Sequence, residues 1–137
     1  MRIVLDTNII VSALIAPRSL PGLVLRHWQE GRFDLISCEE QILELRRVTR
    51  YSKIRLLVPA HVAGRAVNDL KESAIWLRQL PAVELCRDPN DNYLLSMAQA
   101  SNADFLVTGD KADLLIMGRH RATRIVSARA LADMLGF

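Results

Sequence analysis

The chain is poor in the features that mark several functional classes. Its two cysteines, Cys38 and Cys86, are too few and too far apart for a disulfide scaffold or a zinc knuckle. Three scattered histidines, His27, His61 and His120, show no zinc-ligand spacing, and His27 lies on an apolar face that suits core or edge. No apolar run reaches the length a bilayer span needs, so no membrane association is expected. The N-terminus lacks the basic, apolar and small-residue succession of a signal peptide. There is no internal repeat, low-complexity tract or linker rich in Gly, Ser or Pro. GxSxG, P-loop and GxGxxG motifs are absent, which removes sequence support for those chemistries. What remains is one domain over residues 1–137, cytoplasmic, with both thiols buried among apolar neighbours.

The composition is that of an ordinary globular protein, 50% hydrophobic and 24% charged. A net charge of +3 and a pI near 9.2 are compatible with a nucleic-acid partner but do not require one. The cations gather in two places. Arg46, Arg47, Arg50, Lys53 and Arg55 form one group, and Arg119, His120, Arg121 and Arg124 the other. On composition alone these are a solvated helix face and a solvated loop.

Short apolar runs alternate with longer helical ones. Ile3 to Leu5 reads as a first strand and Ile9 to Leu14 as a helix that stops before Pro17. Pro21 and Gly22 open a helix to about Glu30, and Asp34 to Ser37 forms a second strand. Ser37 and Glu40 have capping-box spacing, so a helix through Ile42, Leu45 and Val48 starts there. Helical periodicity runs from Pro59 to Leu80. Ala82 to Cys86 then reads as a third strand. A helix from about Asn90 to Ser101, a strand at Phe105 to Val107 and a short helix after Gly109 follow. The last strand is Arg124 to Val126, and Ser127 caps a final helix. This succession predicts a parallel sheet covered on both faces, with ligand sites at the carboxyl ends of its strands.

Acidic residues gather at that edge. Asp6 follows the first strand, and Asp110 follows FLVTG. Asp88 and Asp91 lie in RDPNDN, and Glu44 lies one helical turn after Glu40. Each has a local role open to it. Asp6 and Asp110 suit helix capping. Glu44 can pair with Arg47, worth about 0.2–0.5 kcal/mol. Asp88 before Pro89 is a good cap, and Asp91 falls in a first turn, where the helix dipole favours a carboxylate. These local roles do not explain why so many acids share one edge. Unpaired carboxylates repel one another unless a cation holds them, and Mg²⁺ or Mn²⁺, as one or two ions, is the natural match for such oxygens. Carboxylate-held metal pairs are the usual device for in-line phosphodiester hydrolysis. DPNDN has part of a calcium-loop spacing, but Tyr93 stands where glycine belongs and Gln99 where the closing Glu belongs.

Taken in order, VLDTNI, Glu44 within ILELRRV, RDPNDNYLLSMA and DFLVTGDKADLL resemble the PIN-domain family over essentially the full chain. The nearest branch is that of the VapC-like toxin components of toxin–antitoxin systems. The resemblance implies a three-layer α/β/α sandwich around a mostly parallel sheet of about five strands. It implies a Mg²⁺- or Mn²⁺-dependent endoribonuclease with an RNA substrate, a cognate antitoxin partner and a homodimer. The family's acids fall on Asp6, Glu44, Asp91 and Asp110. Its small polar position falls on Asn8, which orients Asp6, and its hydroxyl position falls on Thr108. Asp88 supports the site from outside. Asp113 is a further candidate in KADLL, which carries one residue more than the commoner KDLL. Arg46, Arg47 and Arg50 are expected to guide RNA to the acidic edge. Two other readings share these features: a receiver-like phosphoacceptor domain with Asp88 as acceptor, and a non-catalytic scaffold of the same fold.

Overall fold

A computed structural model describes residues 1–137. Six strands form one sheet: β1 (Arg2–Leu5), β2 (Asp34–Cys38), β3 (Ile75–Leu77), β4 (Phe105–Val107), β5 (Arg119–His120) and β6 (Thr123–Val126). Their order across the sheet is β3-β2-β1-β4-β6-β5, and only β5 runs antiparallel. The helices are α1 (Thr7–Ile15), α2 (Leu20–Gln29), α3 (Glu39–Thr49), α4 (Ser52–Leu57), α5 (Ala60–Ser73), α6 (Asn92–Ser101), α7 (Leu114–Met117) and α8 (Ala128–Leu135). No single helix is long and apolar enough to cross a membrane.

The strands are short and apolar because both sheet faces are covered. Their period of two divides the core into two layers. Ile3, Leu5, Leu35, Phe105, Val107 and Val126 point to one side, where α1, α2, α3, α5 and α8 supply Ile10, Val24, Ile42, Leu70 and Leu131. Val4, Ile36, Leu106 and Ile125 point to the other, against Leu94, Leu95, Met97 and Ala98 of α6 and Leu114 of α7. The result is a three-layer α/β/α sandwich. His27 lies within the first layer, stacked on Phe137 with ring centroids 3.7 Å apart. Between α1 and α2 the backbone of Pro17 presses so closely on Gly22 that a side-chain carbon there would collide with its carbonyl.

Three sequence expectations are corrected. The helix expected to reach Leu80 ends at Ser73, and Ile75–Leu77 pairs in parallel with β2 through Ile36↔Ile75 and Cys38↔Leu77. Backbone pairing to the buried β2 edge outweighs the helical periodicity of a segment rich in strand-forming side chains. Ala82 to Cys86 is therefore not a strand, because β3 already occupies that edge. Instead the N–H groups of Leu85 and Cys86 donate to Asn92 Oδ1 at 3.2 and 2.9 Å. The capping box at Ser37 does not form either. Cys38 is the N-cap of α3 without a side-chain bond, and Ser37 Oγ donates to Gln41 Oε1 at 2.7 Å. The sixth strand, β5, forms a hairpin with β6 whose turn holds Arg121 at φ 53°.

Gln41 is fully buried on the core face of α3. Its Nε2 donates to the Leu5 carbonyl at 2.7 Å, fastening α3 to the end of the central strand. Replacing it by methionine keeps the volume but strands that carbonyl and the Ser37 hydroxyl. Gln41→Met is therefore expected to cost about 1–3 kcal/mol in urea denaturation, since buried polar groups are left without partners. A loss within error would show that the brace contributes nothing.

Candidate metal centre

The parallel strands all end at one edge, and the acids gather there. Asp6 is the residue after β1, 4% exposed, and its N–H extends the ladder by donating to the Val107 carbonyl at 2.9 Å. Its Oδ1 accepts from the Asn8 N–H at 3.1 Å, which caps α1. Its Oδ2 accepts from Thr108 Oγ1 at 2.8 Å. The capping and site readings of Asp6 thus coexist, because a carboxylate has lone pairs beyond those two bonds. Asn8 holds Asp6 through its backbone, whereas its exposed amide side chain makes no such bond.

Thr108 is fully buried and serves two acids at once. While its hydroxyl donates to Asp6, the same oxygen accepts from the Asp110 N–H at 3.0 Å. Asp110 Oδ1 in turn accepts from the N–H groups of Ala112 and Asp113 at 3.1 and 3.2 Å, closing the loop before α7. Asp113 Oδ2 accepts from the Asp88 N–H at 3.4 Å and joins that loop to the one before α6. Asp88 caps the 3₁₀ turn Pro89–Asp91 by accepting from the Asn90 N–H at 3.0 Å, the local role its Pro89 neighbour suggests. No strand leads directly into Asp88, so the receiver-like reading lacks its acceptor position.

The acids are close enough to feel one another. Asp91, Asp110 and Asp113 place carboxylate oxygens within 4.8 Å of each other. Two unit charges at that distance repel by about 3 kcal/mol at an effective dielectric of 20, before solvent screening. Burial raises the Asp6 carboxyl above its ordinary range, against the lowering effect of Asn8 and Thr108, and the charges of Glu44 and Asp110 raise it further. Burial, then Asp6, Asp88, Asp110 and Glu44, push Asp91 up to about 7. The only salt bridges in the molecule are Arg32–Glu30 and Arg47–Glu44, the latter at 3.8 Å, so Asp6, Asp91, Asp110 and Asp113 have no cation. A set of hard, mutually repelling oxygen donors without a cationic side chain suits a divalent ion such as Mg²⁺ or Mn²⁺. Cys86, near the same acids, is no rival nucleophile, because burial and their charges push its thiol up to about 12.

Residues 2–112 match the model of the PIN domain. The chain belongs to the PIN-domain family. An uncharacterized protein of Methanocaldococcus jannaschii, MJ1680, is 26% identical to this PIN domain over 112 residues, 81% of this chain and 72% of that protein. Among solved structures, a chain of VapBC2 from Rickettsia felis, bound to a DNA fragment from their promoter, superposes with a TM-score of 0.57. The identity is 16%, covering 93% of this chain and 98% of that one. The PIN domain of human SMG5 superposes with a TM-score of 0.52 at 17% identity, covering 98% and 99%. At these identities the superpositions establish the fold.

Sequence reasoning overlooks one side chain of this PIN domain that touches the acids. The Tyr93 hydroxyl donates to Glu44 Oε1 at 2.8 Å and lies 2.8 Å from Thr7 Oγ1. Burial, then the Glu44 charge, raise its phenol far above the usual range, so it stays a hydrogen-bond donor. Its signal was available: a tyrosine packed among the apolar residues of α6 needs a polar partner for its hydroxyl. Thr7, buried and within 3.4 Å of Gln41 Nε2, belongs to the same network and takes no capping role.

The raised Asp91 pKa has a defined sign. Between its ordinary 3.8 and about 7, the folded protein retains a proton that the unfolded chain has lost. Stability without divalent ions therefore falls as pH rises through that window. Melting curves in EDTA from about pH 4 to about pH 7.5 are expected to show this decline, and Asp91→Asn to flatten it. Mg²⁺ or Mn²⁺ is expected to raise Tm more at about pH 7.5 than at about pH 5. Identical pH curves for wild type and Asp91→Asn would contradict the coupling.

Proposed function

We propose that this PIN domain is a Mg²⁺- or Mn²⁺-dependent endoribonuclease. The observation that carries the reading is the gathering of Asp6, Glu44, Asp91 and Asp110 beside the carboxyl edge of the sheet, where Asp91 and Asp110 share a group with Asp113, with one arginine at its rim. Asp6, Asp91 and Asp110 would hold one or two ions, with Glu44 beside them and Asp113 reinforcing the Asp91–Asp110 side. Such an ion supplies Lewis acidity toward a phosphodiester and makes an attacking water more acidic.

The chain's own groups supply the positioning. Thr108 and the Asn8 N–H fix both Asp6 oxygens, so this carboxylate meets its ligand without reorganising. Tyr93 holds Glu44 from below, leaving the second Glu44 oxygen toward Arg47. The apolar layers beneath Asp6 and Thr108 keep water away from that side of the cluster and strengthen its electrostatics.

As a toxin component, the protein would act in the cytoplasm and be restrained by a cognate antitoxin, with a homodimer as the unit of assembly. The superposition on VapBC2 supports this reading.

The direct test is cleavage of RNA by the purified protein with Mg²⁺ or Mn²⁺. EDTA is expected to abolish cleavage. Asp6→Asn and Asp91→Asn are each expected to reduce it by about 100-fold or more, the upper end of what losing a mere supporting group costs. Cleavage that survives EDTA and Asp6→Asn would belong to a contaminant. Failure to cleave any RNA would favour the non-catalytic scaffold.

A further inference from the structure

The basic run that the sequence places on one helix divides in space. Glu44 and Arg46 are two residues apart, about 200° around α3, so they occupy opposite flanks of its buried face. Arg47 turns toward Glu44 and donates to the Tyr51 hydroxyl at 2.6 Å. Arg46 and Arg50 instead border a hollow of about 250 Å³ between α3, α4 and α5. Arg55 of α4 joins them there, with Thr49, Gly64 and Asn68. The lining contains no acidic residue, and none of the three arginines is in a salt bridge.

We propose that this hollow is a subsite for a phosphate of a nucleic-acid backbone, gripped by Arg46, Arg50 and Arg55. The proposal rests on the ribonuclease reading for its choice of an RNA strand. Three guanidinium groups around one concavity repel one another until an anion shares them, and their planar forks match phosphate oxygens. Arg55 is already aimed. Its Nε donates to the Thr49 carbonyl at 3.2 Å, while the buried Thr49 hydroxyl is fastened to the Leu45 carbonyl at 2.8 Å. That arrangement leaves both Nη groups of Arg55 for a ligand. Arginines in the last turns of α3 and α4 also suit the helix dipoles, but the dipoles do not account for three arginines bordering one hollow without an acidic partner. An RNA strand held in the hollow and cut at the acids crosses the exposed ridge of Leu43 and Arg47. That ridge is about one helix width, 10–12 Å, so the subsite grips the strand a few nucleotides from the cut.

The test is fluorescence anisotropy of a dye-labelled single-stranded oligoribonucleotide titrated with the full chain in EDTA across a salt series. Arg46→Gln combined with Arg50→Gln is expected to weaken binding by about tenfold and to lower the log–log salt slope by about 0.7, the share of the one phosphate the hollow holds. Arg26→Gln combined with Arg65→Gln removes the same charge from another face and is expected to leave the slope unchanged. Thermal melting of each variant verifies folding, and Arg55→Gln provides an independent probe of the same hollow. Unchanged slopes in the hollow variants, or equal losses in both double variants, would overturn the subsite. Because binding is read without divalent ions, the two readings separate. An unchanged slope in a protein that still cleaves RNA removes only the subsite, whereas a lowered slope without any cleavage removes only the ribonuclease.

Discussion

The carboxylate of Asp6 lies almost fully buried at the end of the central strand, and the surrounding structure is arranged to tolerate it. An ionised carboxylate out of water is costly unless each oxygen finds donors. Here one oxygen is met by the first turn of α1 and the other by Thr108, the residue after the neighbouring strand β4. Because Thr108 also accepts from the Asp110 N–H, the group that steadies the first acid sets the backbone of the last. Asp113 extends the connection to the loop carrying Asp88 and Asp91. One buried charge thereby links elements that are a hundred residues apart in the chain.

Helix α3 separates two electrostatic environments. One flank carries Glu44, held by Tyr93 and facing the other acids. The opposite flank carries Arg46 and Arg50 beside Arg55. A protein with a modest net charge can in this way present a focused acidic cluster and a separate basic hollow. The buried face between them is anchored by Gln41, whose amide reaches the Leu5 carbonyl. The same brace that positions Glu44 is therefore fastened to the strand that ends in Asp6.

Much of this arrangement was legible from local signals. The alternation of apolar runs and helical patterns indicated a covered parallel sheet, and the acids after successive strands indicated its working edge. Asp88 with Pro89 read correctly as a cap, and Ser127 caps α8 as expected. Other features were hidden because their causes are distant. Ile75–Leu77 continues a helical periodicity until β2 offers its unpaired edge. That the bond from Asn8 to Asp6 comes from its N–H is set by the geometry of the helix start, which no residue type announces. Tyr93 drew attention only as the residue that spoils a calcium loop.

The sequence by itself determined which residues are apolar, where α1, α2 and α8 begin, and that Asp6, Glu44, Asp91 and Asp110 follow the elements that build one edge. These are consequences of periodicity, capping and strand-to-helix succession, which act over a few residues. The tertiary structure alone decided how the acids are held and where the arginines point. The bonds of Thr108 to Asp6 and of Tyr93 to Glu44 join residues 102 and 49 positions apart. They exist because side-chain direction across a twisted sheet is set by how the layers pack, and no local pattern carries that information.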